Sequence, residues 1–475
     1  MGFSTSLAVA EVSTPMVIKE DERRAPETVE ADGHENGSKE ARPAYPDLGR
    51  SVRQVGSWES VDAAQTPHEK NKRGELGKPL FNWYYNRTSR DPLGRIATAN
   101  AAADRRNTMG SVVGAAPKGE VNAEKVDVTD PKAMTRHIKE VAKFLGIDEC
   151  RIAATHPSFL YSGSRYPDDG TGSTRDAGVG AAGPEANAKR YPYAIACVIA
   201  WDYNMSRAHR HRIGDASYHF STEKLQVAYA NLASYIRELG YAAVRTVAQP
   251  MPLALAAGIG ELGRHGMLIT KDYGARIHLG DPILTDLPLV ADEPIDIGVE
   301  DFCKVCKKCA NTCPTNSISV EGKAVINGIE KYKINWETCY RLRPHVMEFW
   351  ESCLTCVAAC PYTKPKTWWH FLAIQGLSRT PIALRSLVVW PLKWMDDLFW
   401  GKVPRKRVKF MSYDSAVLKV PKSREGMKVP ADGNLDGAVK MDGKTGIYYP
   451  LKENTRRFDI LKEKQRASKA AASRG

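Results

Sequence analysis

The stretch DFCKVCKKCANTCP, residues 301–314, restricts the fold more than any other part of the chain. Its cysteines are Cys303, Cys306, Cys309 and Cys313, with Pro314 directly behind the last. A second run consists of Cys339, Cys353, Cys356 and Cys360, again followed by a proline, Pro361. Eight of the ten cysteines therefore fall within 58 residues. Paired C-x2-C can hold a structural zinc. Zinc does not explain two runs that each close with three intervening residues, a cysteine and a proline, so iron–sulfur ligation is the better reading. Disulfides are disfavoured, because no apolar run follows a basic start as in a secretory signal. The remaining pair, Cys150 and Cys197, reads as small buried hydrophobes.

In two-cluster ferredoxins, three thiolates of one run hold a 4Fe–4S cube and the fourth comes from the other run. Applied to this spacing, Cys303, Cys306, Cys309 and Cys360 hold one cluster. Cys313, Cys339, Cys353 and Cys356 hold the second. Two clusters in one module relay single electrons, so the rest of the chain must contain or meet an acceptor.

That remainder is large. The 475 residues can bury one large or two moderate cores. With 43% hydrophobic and 26% charged residues, the composition is globular. Lys and Arg exceed Asp and Glu by 68 to 55, a formal charge of +13. The plain reading of that excess is a solubilising surface, and no nucleic-acid partner is expected from it. Residues 1–75 are poor in aliphatics and read as disordered or loosely wrapped. Residues 76–190 form an arm and the start of the core, with Phe81, Trp83, Tyr84 and Tyr85 clustered as core packing or a pocket wall.

Hydrophobic periodicity predicts a helix over 131–145, with Asp130 as N-cap and Gly146 as its stop. It predicts a buried strand over 193–201 and a helix over 217–239. The helix carries an apolar stripe from Tyr218 through Leu225, Tyr229, Leu232 and Ile236. Residues 162–189 read as a Gly-rich polar loop. Strands at 242–248, 266–270 and 275–279 follow, and the alternation with helices indicates an α/β layer. The GIGELG segment has the glycines of a dinucleotide fingerprint but follows a Leu-rich helix rather than a strand. Residues 366–402 carry five tryptophans; they read as a strap of helices on the body, or alternatively as a segment in a membrane interface. No run is long and apolar enough to span a bilayer.

Between Tyr193 and Trp400 the chain resembles the corrinoid-dependent reductive dehalogenases and, more distantly, the epoxyqueuosine reductases. The resemblance is carried by LASYIRELGYAA, AAGIGELGRHGMLIT, DYGARIHLG, ILTDLPL, both cysteine runs and WMDDLFWG. It implies an α/β (α+β) chain: a nitroreductase-like cobalamin-binding domain over 191–298, followed by a bacterial two-cluster ferredoxin-like domain over 299–365. A Trp-rich strap and basic tail cover 366–475. It further implies a base-off corrinoid reduced through two 4Fe–4S clusters, a small organohalide substrate and an external low-potential electron donor.

Family members use a tyrosine near the start of the helix ending in LGY, backed by a cation on a later strand. Counted back from Gly240, the tyrosine position falls on Thr222, with Tyr218 one turn earlier on the same face. The cation position falls on His278, with Arg276 two residues before it. The expected catalytic set is therefore Tyr218, Thr222, His278 and Arg276. Gly258, Gly260 and Gly263 are expected to bring backbone against the corrin, and Trp350 to wall the pocket. The twin-arginine leader of exported members is not found, which implies a cytoplasmic enzyme, with peripheral membrane contact as the alternative. Epoxyqueuosine reduction on tRNA and a non-catalytic iron–sulfur carrier remain the competing functions.

Overall fold

The computed structural model describes residues 45–77, 121–162, 177–209, 212–245, 248–340, 353–365 and 367–402, with the backbone of four short strands between 405 and 450. All of these lie in one compact unit, residues 45–455. Trp350 and the aromatic cluster at 81–85 fall outside the described residues.

The strands in chain order are β1 (Arg53–Gln54), β2 (Glu149–Ala154), β3 (Tyr193–Ala200), β4 (Ala243–Arg245) and β5 (Gly260–Leu262). They continue with β6 (Leu268–Thr270), β7 (Ile277–Leu279), β8 (Ile283–Thr285), β9 (Ile318–Ile326) and β10 (Ile329–Ile334). The central sheet runs β2-β3-β8-β4, and β7 pairs with the far half of β3. Every pairing in it is antiparallel, so the alternating strands and helices are laid out on an antiparallel sheet. The sheet belongs to the α+β class.

The eight-residue β3 is the axis of this sheet, and alternate residues are buried on opposite faces. Ala194, Ala196 and Val198 pack with the helix Pro250–Ala256 and with Leu48, Trp58 and Phe159. Ile195, Cys197 and Ile199 pack against Ile138 and Ala142 of the helix Pro131–Phe144 and against Leu225, Tyr229, Leu232 and Ile236. These last four lie on the long helix Arg212–Glu238, whose apolar stripe is buried as its period requires. The Asp130 carboxylate caps the helix Pro131–Phe144 by accepting from the amides of Lys132 and Ala133. Gly146 follows that helix at φ +86°.

Two expectations fail here. Residues 45–77 are packed rather than loosely wrapped: Leu48, Val52 and Trp58 are core residues, and β1 extends the β9–β10 hairpin. The apolar residues are few, but Leu48, Val52, Trp58, Ala63 and Leu76 are all buried. Residues 177–190, expected within a Gly-rich loop, form a helix in two pieces that breaks at Gly183 before Pro184. The break satisfies Gly183 at φ +79°, and the polar composition masks the helical segments on either side.

The cysteine region docks beside the sheet through a third core. It joins Trp201 and Ile269 of the sheet domain to Phe302, Cys303, Cys306, Cys360 and Tyr362. The 318–334 hairpin separates Cys313 from Cys339 and turns at Asn327-Gly328, both at positive φ. Helices Trp368–Arg379 and Arg385–Trp400 then cover the cysteine region. Arg385 is buried and bonds Asp296 and Asp301, which also receive Arg50 at 3.0 and 2.9 Å. Two cations and two carboxylates thereby tie the N-terminal arm, the first cysteine helix and the last helix together.

Glu261 on β5 fixes the entry to the first cysteine helix, Val299–Val305. Its Oε2 accepts from the amides of Ile297 and Val299 at 2.7 and 3.1 Å. Oε1 is buried with no partner among the described residues. Burial, outweighing those amide bonds, pushes the carboxyl from 4.5 up to about 7. The folded state therefore holds a proton that the unfolded chain releases. The associated stability is complete below about pH 4.5 and is lost as pH rises through about 7, amounting to roughly 3 kcal/mol. The wild-type minus Glu261→Gln difference in thermal unfolding should follow this curve. A difference that is flat from pH 5 to 8 would contradict the assignment.

Candidate redox and catalytic site

The two cysteine runs pack close to one another, although among the described residues no three of their thiols are near enough to hold one metal ion. Burial is the main reason their thiols are pushed up, and their mutual repulsion shows which thiols face one another. Cys303 is raised by burial and then by Cys360 and Cys306. Cys309 is raised by burial and then by Cys303, Cys306 and Cys360, with Cys356 a lesser neighbour. Cys356 is raised by burial and then by Cys353, Cys313 and Cys339. Cys360, pushed up to about 12 mainly by burial, faces Cys306. Cys303, Cys306 and Cys360 share one core, and Cys309 and Cys313 share another with Cys356 packed against it.

Buried thiols this hard to ionise become thiolates only beside strong positive charge, which a metal body supplies. Backbone amides add smaller support. Those of Lys308 and Tyr362 favour the thiolates of Cys306 and Cys360. The amide of Ser317 donates to Cys313 Sγ at 3.4 Å. Leu354, between Cys353 and Cys356, sits at φ +53°, a conformation that leucine adopts only where the surroundings impose it.

Two cationic clasps fix the first run, and neither was singled out in the sequence. Arg264, fully buried, donates to the Cys303 carbonyl from Nε and Nη2 at 3.2 and 2.9 Å. Its Nη1 donates to the carbonyls of Ser319 and Glu321 at 3.0 and 2.6 Å, and the guanidinium lies 4.0 Å over the Tyr332 ring. One side chain thus ties the loop after β5 to the first cysteine helix and to β9. Lys308, between Cys306 and Cys309, is buried against Asp396 and Asp397 of the last helix. Burial lowers its pKa, but the two carboxylates more than compensate and the net shift is upward. The signals were present as GRHG and WMDDLF, but a buried charge is not visible in composition.

At the opposite end of the shared core, three of the four expected catalytic residues meet. The Tyr218 and His278 rings lie 4.9 Å apart, edge to face. Thr222 Oγ1 donates to the Tyr218 carbonyl at 2.9 Å and lies 3.3 Å from His278 Nδ1. The direction of the Thr222–His278 contact is set by the imidazole tautomer, and the hydroxyl accepts when the proton is on Nδ1. Trp201, unflagged in the sequence, completes the group edge-on to Tyr218 at 5.6 Å. Arg276 is diverted: its Nη1 donates to the Trp201 carbonyl at 2.6 Å, and its guanidinium faces the Tyr273 ring at 5.3 Å. It therefore braces Trp201 rather than lying against Tyr218.

The glycines require a correction. A Cβ on Gly258 would lie 2.0 Å from the Glu293 carbonyl oxygen, and one on Gly260 would lie 2.3 Å from that of Ile269. At Gly263 it would meet Ile269 and His265 at 2.6 and 2.8 Å. These residues are small because the chain packs against itself there, not to open a cradle. Groups that do await a partner lie elsewhere. Trp201 Nε1, Arg276 Nε and Ser217 Oγ are buried without a hydrogen-bond partner among the described residues.

The Arg264 clasp makes a direct prediction. Arg264→Met should lower stability by about 3 kcal/mol or more, because carbonyls that received charged donors lose them. It should also lower the iron retained per chain. Unchanged unfolding with full iron would mean that the clasp contributes nothing to the first run.

Comparison with known proteins agrees with this geometry. Residues 302–364 match the family model described as a 4Fe-4S dicluster domain. The tetrachloroethene reductive dehalogenase of Sulfurospirillum multivorans is 36% identical over 151 residues, 29% of this chain and 29% of that protein. That of Desulfitobacterium hafniense is 36% identical over 192 residues, 38% of this chain and 34% of that protein. An epoxyqueuosine reductase of Lactococcus garvieae is 25% identical over 167 residues, 34% of this chain and 46% of that protein. The matched region thus spans about a third of the length of the curated dehalogenases. Among solved structures, a catabolic reductive dehalogenase aligns with a TM-score of 0.60 at 19% identity, over 90% of this chain and 61% of that one. The chain is therefore similar in sequence to reductive dehalogenases over part of its length and has their fold over most of it.

Proposed function

We propose that this chain is an oxidoreductase that removes halide reductively from a small organohalide, using a corrinoid reduced through two 4Fe–4S clusters. The observation that carries the reading is a single core in which Trp201 and Tyr218 pack with Cys303, Cys306 and Cys360. Electron supply and a protic side chain are thereby held in one rigid body. The similarity to tetrachloroethene reductive dehalogenases supports the reaction class.

The fit to a corrinoid rests on the unpartnered donors Trp201 Nε1, Arg276 Nε and Ser217 Oγ, which suit a ligand rimmed with amide carbonyls. These three residues would hold it. A bound corrinoid supplies the reducing metal centre for cleavage of the carbon–halogen bond. The remaining chemistry is the chain's own. Two electrons arrive singly through the clusters, carbon gains one proton, and the halogen leaves as halide. Tyr218 gives the proton from its phenol, and His278 at 4.9 Å helps to restore it from solvent. With the imidazole proton on Nδ1 toward Thr222, Nε2 of His278 is left as the acceptor. Trp201 limits water at the Tyr218 ring.

Tyr218→Phe in protein loaded with clusters and cobalamin should lower halide release by roughly a hundredfold or more at unchanged iron and cobalt content. Thr222→Val should cost less and alter the pH profile, because it frees the imidazole tautomer. Full turnover in the phenylalanine variant would remove Tyr218 from the reaction. Absence of halide release from every chlorinated or brominated alkene and phenol tried, in wild type with both cofactors bound, would overturn the reading. The sequence match to epoxyqueuosine reductases supports a second reading, reduction of a modified tRNA. Salt-dependent tRNA binding by the loaded protein would favour it.

A further inference from the structure

The last helix, Arg385–Trp400, turns both apolar and charged residues to the body. Val388, Val389 and Leu392 pack on the core around Cys303 and Cys306, while Arg385 bonds Asp296 and Asp301 and the carboxylates of Asp396 and Asp397 bond Lys308. The side turned away carries Leu387, Trp390, Trp394 and Leu398, spaced by three and four residues. The preceding helix, Trp368–Arg379, adds Trp368 and Leu372 to the same kind of outer surface. These six side chains are 55 to 75% exposed. Single exposed apolar residues are ordinary, but a set at helical spacing on one outer face is not.

We propose that this two-helix face seats on an anionic membrane surface. Three features select lipid over protein. Tryptophan and leucine beside cations are the residues that settle at the boundary between headgroups and acyl chains. The exposed residues at the ends of the pair include Arg379 and Lys402, while the helix carboxylates Asp396 and Asp397 are turned inward and neutralised. The stretch directly after the face, KVPRKRVK at 402–409, has five cations in eight residues and no acid. No helix among the described residues is long and apolar enough to cross a membrane, so the face lies on the surface rather than through it. The proposal is independent of the reaction assigned above.

The test is flotation of the full-length, cluster-loaded protein with vesicles of equal parts phosphatidylglycerol and phosphatidylcholine, compared with phosphatidylcholine alone. The protein should float with the anionic vesicles, release with added salt, and show tryptophan emission quenched by brominated lipid. Trp390→Gln with Trp394→Gln should weaken binding tenfold or more while keeping full iron. Arg379→Glu with Lys402→Glu, at exposed positions, should weaken it without disturbing the core. Several results would overturn the proposal. One is protein left unbound by both vesicle types, and another is undiminished binding in both variants. A third is a dimer, dissociated by the tryptophan substitutions, that forms in place of vesicle binding.

Discussion

Four thiolates must reach one 4Fe–4S cube, and the cysteines of this chain lie in two runs whose nearest members, Cys313 and Cys339, are 26 positions apart. That closure is the constraint on which the rest depends. Cys360 has to return to Cys303, Cys306 and Cys309, and Cys313 has to reach Cys353 and Cys356. Everything between Cys313 and Cys353 must therefore leave and come back without separating the two ends. The β9–β10 hairpin provides the first half of that excursion, and β1 clamps its outer edge.

The same constraint explains the unusual distribution of charge. The helix Arg385–Trp400 sets Val388, Val389 and Leu392 on the core around Cys303 and Cys306, and turns Asp396 and Asp397 inward onto the buried Lys308 and Lys364. Arg264 meets the analogous problem with backbone carbonyls alone. Buried charge of this kind adds little net stability over an apolar core, but removing one partner costs a great deal. It acts chiefly to hold one arrangement.

Much of this was legible in the sequence where chemistry dictates spacing. The nearness of the two cysteine runs, the Asp130 cap and the stripe from Leu225 to Ile236 follow from residue spacing and periodicity. The approach of Tyr218, Thr222 and His278 followed only from the resemblance, yet the helix and β7 do bring them together. What could not be read depends on distant partners. The glycines of GIGELG were assigned to a cofactor, whereas their space is taken by Ile269 on the paired strand β6 and by Glu293 thirty-five residues after Gly258. Arg276 was assigned to catalysis and instead bonds the Trp201 carbonyl. The arm at 45–77 lacked aliphatics in composition, but three well-placed apolar residues suffice to dock it.

The proposed function joins a two-cluster module to a corrinoid site, and spectroscopy tests that union most directly. Protein reconstituted anaerobically with iron, sulfide and cobalamin should retain, after gel filtration, about eight irons per chain, as two 4Fe–4S clusters require. It should also show the paramagnetic signal of bound corrinoid Co(II), and that signal should diminish when Trp201 and Ser217 are replaced. Full iron with no retained cobalt would contradict the account and leave a protein that only carries electrons.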